Sequence, residues 1–539
     1  MYSKLLIILV YEIERFINIS MQNRHIIIYN PKKYQLTRKV GLPTQQRDGE
    51  NPMSESNETT QLQRSVSWKD GMFVALGVPL LILPGLFDVG SMIWGLCIFT
   101  WTVGVIQGFV QNIAYAEMVT TFPQATGLPG CAQAVFHSDN VIPGKIDKSK
   151  FIGAFASWCY WFAWTPVVYI FSGLIVEYVT IMGGWELNDM QFLALSMAVI
   201  LVVVTGMYIM SSRGLEGGGK LAMILAIISL IPILIVLFGD IGNFEFSNIS
   251  TAWRFPVEGQ SDIASIVLVL GCFGLGQWSS CAWETAAIYG PEYKDPGRDT
   301  PKALFGCGII CLAMFFVVPF LMYGEIGQAG VEANTYHSLY PIAIEAFGDL
   351  GGMVALVILI IAMILIIQTG YLGSSRSLYS MASEGNLPKW FAKLNSHGMP
   401  VHAMIFVSVF NSILMFVLCV LPMMGINTSV MTVLSASAMG YAIANFVALA
   451  AFVKSRRDPK FKDLPRPFRA PKFYTYVGAF MCCMQVVLLA CLIYWSYVAS
   501  GNSVVPAILG GAILLCFIPI WLWVQKKKCE QVNSNVVTA

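Results

Sequence analysis

The sequence predicts an all-α polytopic membrane protein with twelve transmembrane helices. Two observations predict that class: the composition, and the way positive charge is distributed along the chain. Of 539 residues, 56% are apolar and 12% charged, and the mean hydropathy is +0.65. An ordinary globular chain is about 25% charged, so this one cannot cover a soluble surface of its size. Disorder requires low hydrophobicity, and a net charge of +2 leaves no basic footprint for nucleic acid. A membrane barrel would alternate apolar and polar residues. Here the apolar runs are long and continuous, which means helices.

The first 70 residues are polar apart from a run at 5–11. That run is too short for a span and has no small-residue cleavage site after it, so no signal peptide is expected. Residues 43–67, rich in Gln, Asn, Ser, Thr and Glu, read as disordered. Twelve apolar segments follow, at 71–90, 92–118, 152–181, 191–211, 219–239, 262–290, 302–324, 349–373, 401–423, 429–453, 474–499 and 504–525. Most reach the roughly 20 residues a bilayer needs, and the longer ones must tilt or break. With the N-terminus inside, 32 of the 33 Lys and Arg fall in the two tails or in the loops after spans 2, 4, 6, 8 and 10. Only Arg254 lies on the other side. An early miscount would invert the later loops, so the positive-inside rule supports both the number twelve and two cytoplasmic termini.

The expected organisation is a cytoplasmic, largely disordered tail (1–70), a ten-helix transport core (71–453), a basic cytoplasmic loop (454–473), two accessory helices (474–525) and a cytoplasmic tail (526–539). The 13 cysteines match no zinc or haem spacing and read as buried free thiols, Cys307 and Cys311 included. No nucleophile motif, metal cluster or phosphate loop is present, so neither an enzyme nor an ATP-driven pump is expected, and no cofactor.

Two spans carry anomalies. Span 1 holds Gly77, Pro79, Pro84 and Gly85 within nine residues. Each proline removes a backbone donor, and the freed carbonyls must face protein or a wet cavity. Span 6 reads Gly271-Cys-Phe-Gly-Leu-Gly-Gln-Trp-Ser-Ser-Cys-Ala-Trp-Glu284, with three glycines and two serines at mid-membrane. Inverted-repeat transporters place discontinuous helices at matching positions in their two halves, with substrate held between them at the midplane. Non-helical backbone is therefore expected within 77–87 and 276–284, lining a shared cavity. An acid inside a membrane segment is costly and marks function by default. Glu284 is a candidate proton carrier or amine partner, or else a neutral, hydrogen-bonded structural acid.

Four stretches carry a family resemblance over roughly residues 70–525. They are Tyr115-Ala-Glu-Met-Val-Thr-Thr-Phe-Pro123 with Gly127; Trp283-Glu284 with Glu292-Tyr-Lys-Asp-Pro-Gly-Arg-Asp-Thr-Pro301; Ser375-Arg-Ser-Leu-Tyr-Ser-Met-Ala-Ser-Glu-Gly-Asn-Leu-Pro388; and Leu464-Pro-Arg-Pro-Phe-Arg-Ala-Pro471. In this order the chain resembles the amino acid–polyamine–organocation (APC) superfamily of secondary transporters. The resemblance implies a five-plus-five inverted repeat, with helices 1 and 6 discontinuous and two helices added at the C-terminus. It implies transport of an amino acid, polyamine or related amine, by proton-coupled symport or exchange, across a plasma or inner membrane.

Residue by residue, the family's span-1 Gly-Ser-Gly substrate loop falls on Leu83-Pro84-Gly85. This is a departure, because Pro84 has no N–H to offer a substrate carboxylate. Trp278 matches an aromatic that stacks on substrate in some members, and Trp283 the aromatic before the family's Glu; each could equally be packing. The candidate substrate residues are Gly77, Val78, Leu83, Pro84 and Gly85 in span 1. Span 6 adds Trp278, Ser280, Cys281, Ala282 and Trp283, and span 10 adds Ser437, with Glu284 the coupling candidate. Arg298, Arg376 and Glu384 read as structural pins. The alternative function is a non-transporting nutrient sensor on the same fold.

Overall fold

The computed structural model describes residues 64–138, 142, 144–250, 255–425 and 430–537. The run at 5–11, nearly all of segment 43–67 and Arg254 lie outside the described residues. Among these residues, twelve helices are long and apolar enough to cross a membrane. Spans 1–6 are Trp68–Ile93, Leu96–Thr121, Lys148–Gly183, Asp189–Ser211, Gly218–Gly239 and Asp262–Glu292. Spans 7–12 are Pro296–Ala333, Leu339–Ser383, Val401–Met423, Val433–Arg457, Tyr474–Ala499 and Val505–Ser534.

Spans 7 and 8 outrun their apolar segments at both ends, and each carries one kink, at Gly327 (φ 63°) and Gly348 (φ 71°). These are left-handed conformations that glycine adopts without a Cβ clash. Span 3 is interrupted before Pro166, between Phe151–Trp164 and Val167–Gly183, where proline cannot donate to the preceding turn.

Burial sorts the spans. The most apolar stretches of spans 1 and 10 are 78% buried inside the protein, against 22% for span 4 and 28% for spans 9 and 12. Spans 1 and 10 are therefore central and the others peripheral. Ile224, Ile227, Ile228 and Ile231 of span 5 are exposed, as a lipid-facing stripe must be.

The loops that carry most of the basic residues meet at one end of the bundle, here called the basic end. Val66 N donates to Glu292 O at 3.0 Å and Lys294 N to Val66 O at 2.9 Å, tying the entry of span 1 to the exit of span 6. Arg376 grips Glu292 in a bidentate pair, Nε to Oε1 at 2.6 Å and Nη2 to Oε2 at 3.1 Å. Glu117 of span 2 takes Arg466 Nη1 at 2.6 Å, Arg456 Nε at 3.0 Å and the Ala470 N–H at 2.8 Å. Both carboxylates and Arg376 are buried. A fixed guanidinium fork matched to a carboxylate is the geometry that compensates such burial.

Candidate functional site

Both anomalous spans are broken. Span 1 is α-helical over Trp68–Ala75 and Ile82–Ile93, with a short 3₁₀ turn, Val78–Leu81, between. The carbonyls entering the break find partners: Thr369 Oγ1 donates to Val74 O at 2.6 Å and Cys307 Sγ to Ala75 O at 3.5 Å. Gly77 lets span 8 approach this point, since a Cβ there would collide with Thr369 and the Ile366 backbone. Pro84 is the third residue of the second half-helix, Ile82–Ile93. N–H groups of a first turn have no partner within the helix, so its missing donor costs the fold little.

Span 6 is α-helical over Asp262–Ser280 and then tightens into a 3₁₀ run, Ala282–Glu292. Such runs rarely exceed 3–4 residues, and a longer one marks a hinge or strain. The glycines expected to break this span do not lie in the break. Gly271 and Gly274 are helical and thin the helix against Trp495 and the Leu488 backbone of span 11, and Gly276 faces Trp101 of span 2. The helix ends at Cys281, whose Sγ donates to Gly104 O at 3.2 Å.

Beside the two breaks, where the helical flanks of spans 1 and 6 face each other, lies a small cavity of about 20 Å³. Pro84, Gly85 and Asp88 of span 1, Trp101 of span 2, Phe171 of span 3, Trp278 and Ser279 of span 6, Tyr336 and Leu434 are among its walls. Trp101 is wedged between Gly85 and Gly276, each of whose added Cβ would stand 3.0 Å from the indole. Trp278 is pinned by its Nε1–H, which donates to Ala163 O at 3.0 Å. Trp101 is thus fixed by the two broken spans and Trp278 by span 3.

Of the sequence candidates, Pro84, Gly85 and Trp278 line this cavity. Gly77, Val78 and Leu83 are packed at or beside the break, and Ser280, Cys281 and Ala282 at the other. Trp283 is fully buried between Gly108 and Gly308, with Phe109 4.9 Å away ring to ring. Ser437 Oγ donates to Leu434 O at 2.8 Å, one residue removed from the wall. Glu284 sits off the cavity, buried, with Oε1 accepting from Tyr160 Oη at 3.1 Å and Oε2 unpartnered. The Tyr441 hydroxyl also lacks a partner. Tyr115, a third hydroxyl in this electrostatic neighbourhood, donates to Asn445 Oδ1 at 2.5 Å.

Sequence reading passed over Asp88, because it falls near the end of its apolar segment. It is buried, lines the cavity, and Oδ1 accepts from Tyr336 Oη at 3.2 Å. The signal available was that it is the only acid in the segment at 71–90.

Residues 67–522 match the family model described as amino acid permease. The chain belongs to that family. Among the permease's relatives, an uncharacterized transporter of Legionella pneumophila is 24% identical over 469 residues, covering 81% of this chain and 92% of its own. The gamma-aminobutyric acid permease of Bacillus subtilis is 23% identical, covering 71% and 78%. An arginine/ornithine antiporter of Lactococcus lactis is 21% identical, covering 59% and 62%. The fold matches the manganese transporter of Eremococcus coleocola with a TM-score of 0.55 over 89% of this chain and 100% of that one, at 11% identity. The permease is a multi-pass integral membrane transporter of the APC fold, and its relatives are permeases and transporters rather than enzymes.

Proposed function

We propose that the protein is a secondary active transporter that moves amino acids or related amines by alternating access, through proton-coupled symport or exchange. The observation that carries this reading is the cavity bounded by two interrupted helices, one wall from each. Interrupted helices at a midplane site are what such transporters use to change which side reaches the substrate. The same reading takes spans 1–10 as the transport core built on a five-plus-five repeat, spans 11 and 12 as accessory, and the basic end with both termini as cytoplasmic.

Relatives named for arginine/ornithine exchange, gamma-aminobutyrate and serine/threonine exchange support an amine-bearing substrate, as does a probable polyamine transporter of Arabidopsis thaliana. The wall chemistry agrees, since fixed Trp faces suit a desolvated ammonium. Glu284, with one free carboxylate oxygen among tyrosine hydroxyls, is the coupling group of this reading.

Uptake and counterflow in proteoliposomes, against an amino acid and polyamine panel with and without a pH gradient, test it. Saturable uptake with counterflow of at least one amine-bearing compound is expected. Folded, reconstituted protein that gives neither would favour the nutrient sensor.

A further inference from the structure

We propose that Asp88 is the anchor for a protonated amine, so that the cavity selects substrates of net positive charge, such as diamines, polyamines or amino acids with a second amine, over neutral zwitterions. The inference rests on the reading above that this cavity holds the substrate.

Asp88 is 6% exposed. Among the described residues, its side-chain partner is the Tyr336 hydroxyl at 3.2 Å, a neutral donor to Oδ1. Among the described residues, no Lys, Arg or His lines the cavity, and Asp88 is the one charged group in its wall. A buried acid with one neutral partner is expensive to ionise, and a cation entering the cavity would compensate it. The remaining walls decide which cation. A hydrated or liganded metal ion wants six or more oxygens, and besides Asp88 the side chains here offer only the Ser279 and Tyr336 hydroxyls.

The rest is apolar and aromatic, with Trp101 and Trp278 held as rigid faces. That combination of one carboxylate and several ring faces recognises an organic ammonium. The other end of a zwitterion is poorly served. Pro84 in the wall brings no N–H, and among the described residues no side-chain cation is there to meet a carboxylate. A second amine carries no such requirement.

The test uses full-length purified protein and a matched series: 1,4-diaminobutane, its carboxylated analogue ornithine, and 4-aminobutanoate, with alanine as the small zwitterion. Binding is read by displacement of whichever labelled compound binds tightest. The wild type should prefer 1,4-diaminobutane and ornithine. Asp88→Asn should weaken those two by about tenfold or more, the loss expected for a charge-assisted hydrogen bond, and the zwitterions by less than about threefold. Asp88→Glu should keep the order of preference, which covers the case in which the Asn variant does not fold. Trp278→Ala tests the cavity separately and should weaken every probe.

If Trp278→Ala weakens binding and Asp88→Asn leaves the cationic probes unchanged, the cavity reading stands and the Asp88 inference is overturned. Tighter wild-type binding of the zwitterions would also overturn it. If neither variant alters binding, both readings fall.

Discussion

At the basic end, Glu117, Glu292, Arg376, Arg456 and Arg466 are all nearly or wholly buried, and each carboxylate meets at least one guanidinium. Beside the cavity, Asp88 is about as buried, yet its partner is a tyrosine. The first arrangement is closed: every carboxylate is paired within the protein, so its work is to hold helix ends and the 454–473 loop together. The second is open, with a charge whose compensation must come from elsewhere. Glu284 falls between them, buried among hydroxyls with half its carboxylate free. Whether a buried charge is matched, more than how deeply it is buried, separates a structural pin from a binding group in this membrane protein.

Breaking the closed set should have the largest effect. Arg376→Ala leaves Glu292 buried and alone, and removing one partner of a buried pair costs about 3–5 kcal/mol. Thermal unfolding in detergent should show the loss, and Asp88→Asn should lower Tm far less. Equal Tm losses would erase the distinction between the two ends.

Next come the glycines that set the cavity wall. In Gly85→Ala or Gly276→Ala the new Cβ would press on Trp101 from 3.0 Å, and such overpacking costs about 1–3 kcal/mol. Transport should fall with the fold retained; unchanged uptake would mean that the position of Trp101 is immaterial.

For the intermediate case, Glu284→Gln keeps an acceptor for Tyr160 and removes the ionisable group. Stability should change by no more than about 1 kcal/mol, while the pH profile of transport flattens. A wild-type profile would make Glu284 a structural acid like Glu117. The smallest effect belongs to Pro84→Ser, which restores an N–H to the wall. Affinity for substrates bearing an α-carboxylate should rise about threefold, roughly one modest hydrogen bond. Unchanged or weaker affinity across an amino acid panel would show that this missing donor is not what shapes recognition.

Much of this was legible in the sequence. The segments at 401–423 and 474–499 agree with spans 9 and 11 residue for residue, because hydropathy and the bilayer's thickness fix a helix that ends at polar residues. Spans 7 and 8 ran longer because helices extend past the apolar stretch wherever backbone hydrogen bonding allows. The two broken spans were legible, and the breaks fall inside the windows 77–87 and 276–284, but the glycines were not their cause in span 6. A glycine in a membrane helix can loosen the backbone or admit a neighbour, and Gly271, Gly274 and Gly276 do the second. The span-6 break begins at Cys281, among residues with no local signature. Glu284 stood out by position in the chain, whereas Asp88 acquires its meaning only when Trp101, Trp278 and Tyr336 are brought around it by three other segments.

The central claim is that the space between the two broken spans is where transported substrate sits. Ser279→Cys places a near-isosteric thiol in that wall. In proteoliposomes, a membrane-impermeant thiol reagent should label it from the side opposite the basic end, above the background of the native cysteines. A transported substrate at ten times its Kd should slow labelling by about tenfold. A substrate that is transported yet leaves the labelling rate unchanged would contradict the account.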